Sequence, residues 1–300
     1  MSGRPRSMRE MYELQSKSWN PDDRARSIAS YRPRRSDIVI SPYAKCGTTW
    51  LQQAFHCLRT RGDMDFDDIS RVVPWIETAC ALGLDLEHPQ RAEPRGFKSH
   101  LPYDQIPKGA RYVVSFRDPK DAIVSDYHFM KGWWFEPGTI SLEQFVERPL
   151  SRLGTGRDYW HHLLSWWAER DNADVLLFSY EGMKDHPEAH IRALARFAGI
   201  ASDEELLALT LKRISLAFML AHRDRFDDRL MREHSERASG LPPGSDSAKV
   251  REGKVGSHKI EMSPAIATKV DEIWRTAVAP ETGFETYGAF EAVVRARTGL

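Results

Sequence analysis

Three consecutive β-branched residues, Ile38-Val39-Ile40, run into the turn Tyr43-Ala44-Lys45-Cys46-Gly47-Thr48-Thr49-Trp50. Beyond Gly47 the period changes: Leu51, Ala54, Phe55 and Leu58 recur at helical spacing. A strand apolar at every position belongs in a parallel sheet covered on both sides, because its two faces must both be buried. The same reading predicts strands at 96–99, 112–116 and 175–178. Asp118-Pro119 reads as an N-cap followed by the first helical residue of a helix reaching about Lys131. Ile191, Leu194, Ala195 and Ala198, and later Ile266, Val270, Ile273 and Trp274, mark two more helix faces. Strands alternating with helices predict an α/β fold, a central parallel β-sheet flanked by helices on both faces.

The chain has 300 residues, 41% of them hydrophobic, enough for one sizeable core and one domain over 1–300. Lys plus Arg equals Asp plus Glu, 43 each. Net charge of zero argues against a general nucleic-acid or membrane-surface binder. Cys46, Cys57 and Cys80 are too scattered for a disulfide framework or a metal pair, and no metal site is expected. Residues 1–19 lack the apolar centre of a signal peptide, and no stretch of about eighteen apolar residues occurs. A cytoplasmic location is the expectation. The Arg- and Ser-rich residues 1–36 are expected to pack loosely. Residues 223–257, charged and rich in Gly, Pro and Ser, are expected to form a mobile segment covering a site.

Four segments carry chemistry. In the Tyr43–Trp50 turn, the unpaired N–H groups of the first helical turn suit an anion. Lys45 adds charge, Gly47 permits close approach, and Thr48 and Thr49 add hydroxyls. By itself this is also compatible with a plain capped helix start. The nucleotide-triphosphatase loop Gly-x-x-x-x-Gly-Lys-Ser/Thr is absent. Arg117, ending a strand, and Ser125, two helical turns past Asp118, can face one phosphate; an ion pair of Arg117 with Asp118 or Asp121 is the plainer reading. Lys98 and His100 share a strand face, and a His there suits a general base. Arg251-Glu252-Gly253-Lys254-Val255-Gly256 places glycines among bases, fit for a phosphate clamp or a charged loop.

Taken in order, these segments resemble the cytosolic sulfotransferase family over about residues 37–260. Its Tyr-Pro-Lys-Ser-Gly-Thr-Thr-Trp is similar to residues 43–50, and its Lys-Thr-His-Leu-Pro to Lys98-Ser99-His100-Leu101-Pro102. Its Arg-Asn-x-Lys-Asp run resembles Arg117 through Ser125, and its Arg-Lys-Gly-x-x-Gly resembles residues 251–256. The resemblance implies a P-loop NTPase-like fold and transfer of a sulfuryl group from 3′-phosphoadenosine 5′-phosphosulfate (PAPS) to a small acceptor. It implies that Lys45, Cys46, Gly47, Thr48 and Thr49 hold the 5′-phosphosulfate, and that Arg117, Ser125, Arg251, Glu252 and Gly253 surround the 3′-phosphate. Trp50, Tyr180 and Ser215 would meet the adenine. His100 would be the base, and Lys98 would orient the reacting groups.

Departures from the family pattern are specific. Glu252 replaces a Lys, bringing like charge toward a phosphate, with Lys254 adjacent. Cys46 replaces a Ser, His258 a Trp, and Leu216 stands near an adenine-contacting Phe or Met. The dimerisation pattern Lys-x-x-x-Thr-Val does not follow Lys259, so monomer and homodimer both stay open. Trp75, Trp133, Trp134, Phe135 and Phe226 fall in segments that line the acceptor in this family, so a phenol or other apolar alcohol is the expected partner. A small-molecule kinase and a non-catalytic nucleotide-binding protein are the alternatives.

Overall fold

The structure, a computed structural model, describes residues 3–298. Its sheet has four parallel strands in the order β2-β1-β3-β4: β1 (Ile38–Ile40), β2 (Gly96–Lys98), β3 (Arg111–Phe116) and β4 (Val175–Ser179). Ile38 aligns with Gly96 on one side and Arg111 on the other. Alternation of side chains divides the strands between two apolar layers. Val39, Tyr112, Val114 and Leu177 point into one, while Ile38, Ile40, Val113 and Phe178 point into the other.

Among the described residues, eleven longer helices surround the sheet. They are α1 (Met8–Ser18), α2 (Pro21–Ser30), α3 (Thr48–Thr60), α4 (Pro119–Trp133), α5 (Leu142–Leu150) and α6 (Tyr159–Ala168). The rest are α7 (Pro187–Ala198), α8 (Glu204–Arg213), α9 (Arg229–Ser239), α10 (Pro264–Ile273) and α11 (Tyr287–Arg297). Residues of α3, α7 and α8 fill one layer, and those of α4, α6, α10 and α11 fill the other. Gly96 sets the spacing of α3 from the sheet: a Cβ there would meet Phe55 at 2.2 Å. Among the described residues no helix is long and apolar enough to cross a membrane.

Residues 3–36 are not the loose segment that the composition suggests. Ser7 and Asn20 cap α1 and α2, and Pro21 opens α2. Met11 is fully buried among Met130, Trp133, Trp134 and Phe145. The buried Ser18 hydroxyl bonds that of Ser239, so polar residues sit inside this interface without losing partners. Residues 223–257 likewise include the helix α9 and the fully buried anchors Phe226, Ser235 and Ser247.

The order of the strands places a topological switch between β1 and β3, where open α/β sheets bind ligands beyond the carboxyl ends of their strands. Lys45 follows β1, His100 follows β2, Arg117 follows β3 and Tyr180 follows β4.

Candidate functional site

The turn after β1 is shaped by two left-handed residues, Lys45 (φ 67) and Gly47 (φ 96). A side chain at position 47 would crowd Met183 and Tyr180 at 3.1 Å. No side chain caps the start of α3, so its first N–H groups face the cleft. The Thr48 hydroxyl is buried there without a hydrogen-bond partner among the described residues. Cys46 is different: its side chain is fully buried in the core and its N–H bonds Tyr43 O at 3.1 Å. It therefore does not line the cleft with its neighbours, because a residue between two left-handed positions turns its side chain the other way. Lys45 Nζ lies 4.1 Å from the centre of the Phe129 ring. Burial, then the like charge of Lys249, lowers its pKa to about 7.

Arg117 makes neither of the surface ion pairs open to it. It donates to Lys45 O at 2.9 Å and Lys254 O at 3.1 Å, and its guanidinium lies over the Tyr180 ring. Its Nε is buried with no partner among the described residues. Asp121 is occupied elsewhere. It accepts from Gly256 N and from His258 N and Nδ1, tying the 251–258 loop to α4. That loop brings Arg251 and Gly253 to the cleft, where Ser125 also faces. Glu252 sits 3.3 Å from Arg251 and 2.8 Å from Lys254, so Lys254 does share its charge. Trp50 is fixed by a bond from its indole N–H to Ile214 O at 2.9 Å, with Tyr180 edge-on to its ring. The Ser215 hydroxyl bonds Lys212 O and the Phe218 N–H, ending one helix and starting the next.

His100 is held for one protonation state. Its Nδ1 lies 2.7 Å from Pro42 O. A carbonyl only accepts, so Nδ1 carries the hydrogen and Nε2 keeps a free lone pair. Burial, followed by the charge of Lys98, holds the imidazole well below its ordinary pKa, so it is neutral near pH 7. Its N–H donates to Glu77 Oε1 at 2.7 Å, and its ring meets Trp75 edge-on. Lys98 Nζ lies over Trp75 at 3.9 Å, and burial lowers its pKa to about 8.

Lys45, Thr48, Thr49, Trp50, Lys98, His100, Arg117, Ser125, Tyr180, Ser215, Arg251, Glu252 and Gly253 all border one cleft of about 1700 Å³. Trp75, Trp133 and Trp134 border it too. Phe226 and Phe135 do not: they are core residues, because the segments that carry them turn those rings inward. Sequence reasoning missed Glu77, Asp228, Lys249 and the wall supplied by α1 and α2, including Trp19 and Arg24. An isolated Glu or Lys carries no pattern, and only the apolar stripe Met8, Met11 and Leu14 could have announced α1.

Two features fit a doubly phosphorylated nucleotide carrying a sulfate. The Thr48 hydroxyl and Arg117 Nε, buried without partners among the described residues, both belong to residues bordering this cleft, and the uncapped start of α3 adds free N–H groups. Comparison with known proteins agrees. A family described as a sulfotransferase domain matches residues 35–283. Sulfotransferase 1B1 of Canis lupus familiaris is 27% identical over 268 residues, covering 85% of this chain and 88% of that protein. Sulfotransferase 1 family member D1 of Mus musculus is 26% identical, covering 85% and 87%. Retinol dehydratase in complex with androsterone and inactive cofactor PAP shares the fold at TM-score 0.68 and 18% identity, covering 93% of this chain and 96% of that one. Mouse sulfotransferase SULT7A1 complexed with PAP gives 0.67 at 20% identity, covering 93% and 95%.

Proposed function

This chain belongs to the sulfotransferase family and is a PAPS-dependent sulfotransferase, and from that premise we propose that His100 is the general base and that the acceptor is a small aromatic or apolar alcohol. The observation that carries the base assignment is the His100 tautomer: Nδ1–H is spent on Pro42 O, leaving Nε2 as the acceptor of a proton. The acceptor class is supported by Trp75, Trp133 and Trp134 on the cleft wall. The whole chain, 1–300, is proposed to act as one domain.

PAPS supplies an activated sulfuryl group on a phosphate leaving group. On this reading Lys45, Thr48, Thr49 and the free N–H groups of α3 hold the 5′ end. Arg117, Ser125, Arg251 and the Gly253 backbone hold the 3′-phosphate, and Trp50, Tyr180 and Ser215 flank the adenine. His100 takes the hydroxyl proton at Nε2 as the acceptor oxygen becomes a nucleophile. Lys45 and the α3 N-terminus neutralise charge growing on the phosphate side, where preorganised donors matter most. Lys98, beside His100, orients the reacting groups.

Transfer of labelled sulfate from PAPS to a panel of phenols, alcohols and amines tests the reading, with ATP as an alternative donor in parallel. Phenol sulfation is the expected result; phosphoryl transfer from ATP in its place would sink it.

A pH effect follows from Lys45. Its free-site pKa of about 7 rises when an anion binds, so binding takes up a proton above pH 7. Affinity for the product nucleotide PAP should therefore fall, by less than about tenfold in all, as pH rises from 7 to 9. The Lys45 contribution should be level below about pH 6, where the side chain is already charged. Quenching of tryptophan fluorescence by PAP measures this, and a flat profile from pH 7 to 9 rejects it.

Glu252→Gln should tighten PAP binding about twofold to fivefold, since Arg251 and Lys254 lose a competing carboxylate at an exposed site. Unchanged affinity in the same titration would show that the carboxylate does not compete.

A further inference from the structure

Asp228 occupies the N-cap position of α9 yet does not cap it. Its backbone is left-handed, φ 49, an uncommon conformation for a residue other than Gly. Asp68 serves the helix in its place, accepting the Leu230 N–H at 2.9 Å. The Asp228 carboxylate is thereby free to turn into the cleft. It is hydrogen-bonded to the ammonium of Lys249, and Lys98 Nζ lies 3.8 Å from the same oxygen. The side chains of Asp228, Lys98 and Lys249 are 4%, 2% and 9% exposed.

The charges in this pocket do not balance. Burial pushes the Asp228 carboxyl up, but Lys249, Lys98 and Lys45 together outweigh it and hold it well below the carboxylate range. One carboxylate thus faces three lysines. The other acids nearby are engaged: Asp126 pairs with Arg148 at 2.9 Å, and Glu77 accepts from the His100 N–H. Asp68 caps α9, and Asp227 pairs with Arg232 at 3.0 Å. A buried ion pair needs one cation, and each further cation carries a desolvation cost that an incoming anion offsets. The surplus sits beside His100, on the wall shared with the Lys45 turn.

We propose that Lys249 is a catalytic cation for the transferred sulfuryl group, and that Asp228 is the positioning residue that aims it. Lys45, Lys98 and Lys249 then form a three-lysine clamp on the sulfonate oxygens. The proposal rests on the sulfotransferase reading above. In the transfer, the sulfur–oxygen bond to phosphate breaks, the bond to the acceptor oxygen forms and the acceptor proton passes to His100. Lys249 exchanges no proton and hydrogen-bonds the sulfonate throughout.

The test compares Lys249→Met, Lys249→Arg and the double variant Asp228→Asn/Lys249→Met, the last leaving no unpaired carboxylate to impair folding. Lys249→Met should lower kcat about 100-fold, as for loss of one preorganised donor, with PAP affinity at pH 6.5 within about threefold of wild type. Lys249→Arg should recover most of the loss. The double variant should stay as slow as Lys249→Met. A second readout involves no transfer. Lys45 is faced by Lys249, Asp126, Asp228 and Arg117, and removing Lys249 deletes its strongest like-charge neighbour. The alkaline break in PAP affinity should therefore move to higher pH in Lys249→Met. The proposal is overturned if Lys249→Met keeps kcat within threefold, if the double variant regains wild-type turnover, or if the PAP break stays in place. A wild-type protein that sulfates no acceptor overturns the sulfotransferase reading, and the catalytic role of Lys249 with it, while a shifted PAP break would still make Lys249 a cation of the anion site.

Discussion

Replacing His100 with Ala is expected to lower sulfuryl transfer about 10²–10⁴-fold, the usual range for loss of a positioned general base. PAP binding should stay within about twofold, since the anion sites proposed above use Lys45, Thr48, Arg117 and Arg251 and not the imidazole. The geometry argues for this split. His100 spends Nδ1 on Pro42 O and its N–H on Glu77, and burial, followed by the neighbouring charge of Lys98, keeps the ring neutral. A depressed pKa means that the basic form persists as pH falls, so turnover of the wild type should not lose its base between pH 8 and 6. Stopped assays across that range, with PAP titrations on the same samples, measure both quantities. An active His100→Ala enzyme with the wild-type pH profile would remove His100 from the role.

Lys45→Ala is expected to cut kcat by about 10²–10³-fold while weakening PAP binding less than about tenfold. The asymmetry follows from where charge develops. On the proposed reading, the ammonium in the bound ground state would face an anion that the α3 N–H groups, Thr48 and Thr49 also hold. As the sulfur–oxygen bond lengthens, charge concentrates on the oxygen nearest Lys45, and a donor fixed in a buried site gains most at that moment. Phe129 packs the lysine in place, and its lowered pKa makes the ammonium responsive to anion binding. Single-turnover rates with saturating PAPS, set against PAP affinity, separate the two effects. Binding that collapses while turnover survives would make Lys45 an anchor only.

The two substitutions probe parts of the site that differed in how visible they were. Lys45, Gly47 and Thr48 are contiguous, and the change of period at Gly47 announces a strand–turn–helix junction whatever surrounds it. Asp118-Pro119 announces α4 in the same local way, and Asp118 does cap it. Cys46 shows the limit of such reading. Its place in the motif suggested a contact with the donor, yet the two left-handed residues beside it send its side chain into the core. The N-terminal helices show another. Their Arg and Ser content reads as loose chain, whereas a short apolar stripe and satisfied buried hydroxyls dock them over the tryptophans at residues 133 and 134.

Local rules act over a few residues, and so the chain's order of amino acids alone determined where strands end, where helices start and which turn presents unpaired N–H groups. It also determined the alternation of strands and helices that makes the sheet parallel. What brought Lys249 and Asp228 to Lys98, and Arg117 to the carbonyl of Lys45, was decided only in three dimensions. Those partners are separated by 21 to about 150 positions along the chain and meet because β1 lies between β2 and β3, opening a crevice at their carboxyl ends. No periodicity encodes a meeting of that kind: it depends on packing two apolar layers against one sheet, and the charges then find whatever neighbours that packing provides.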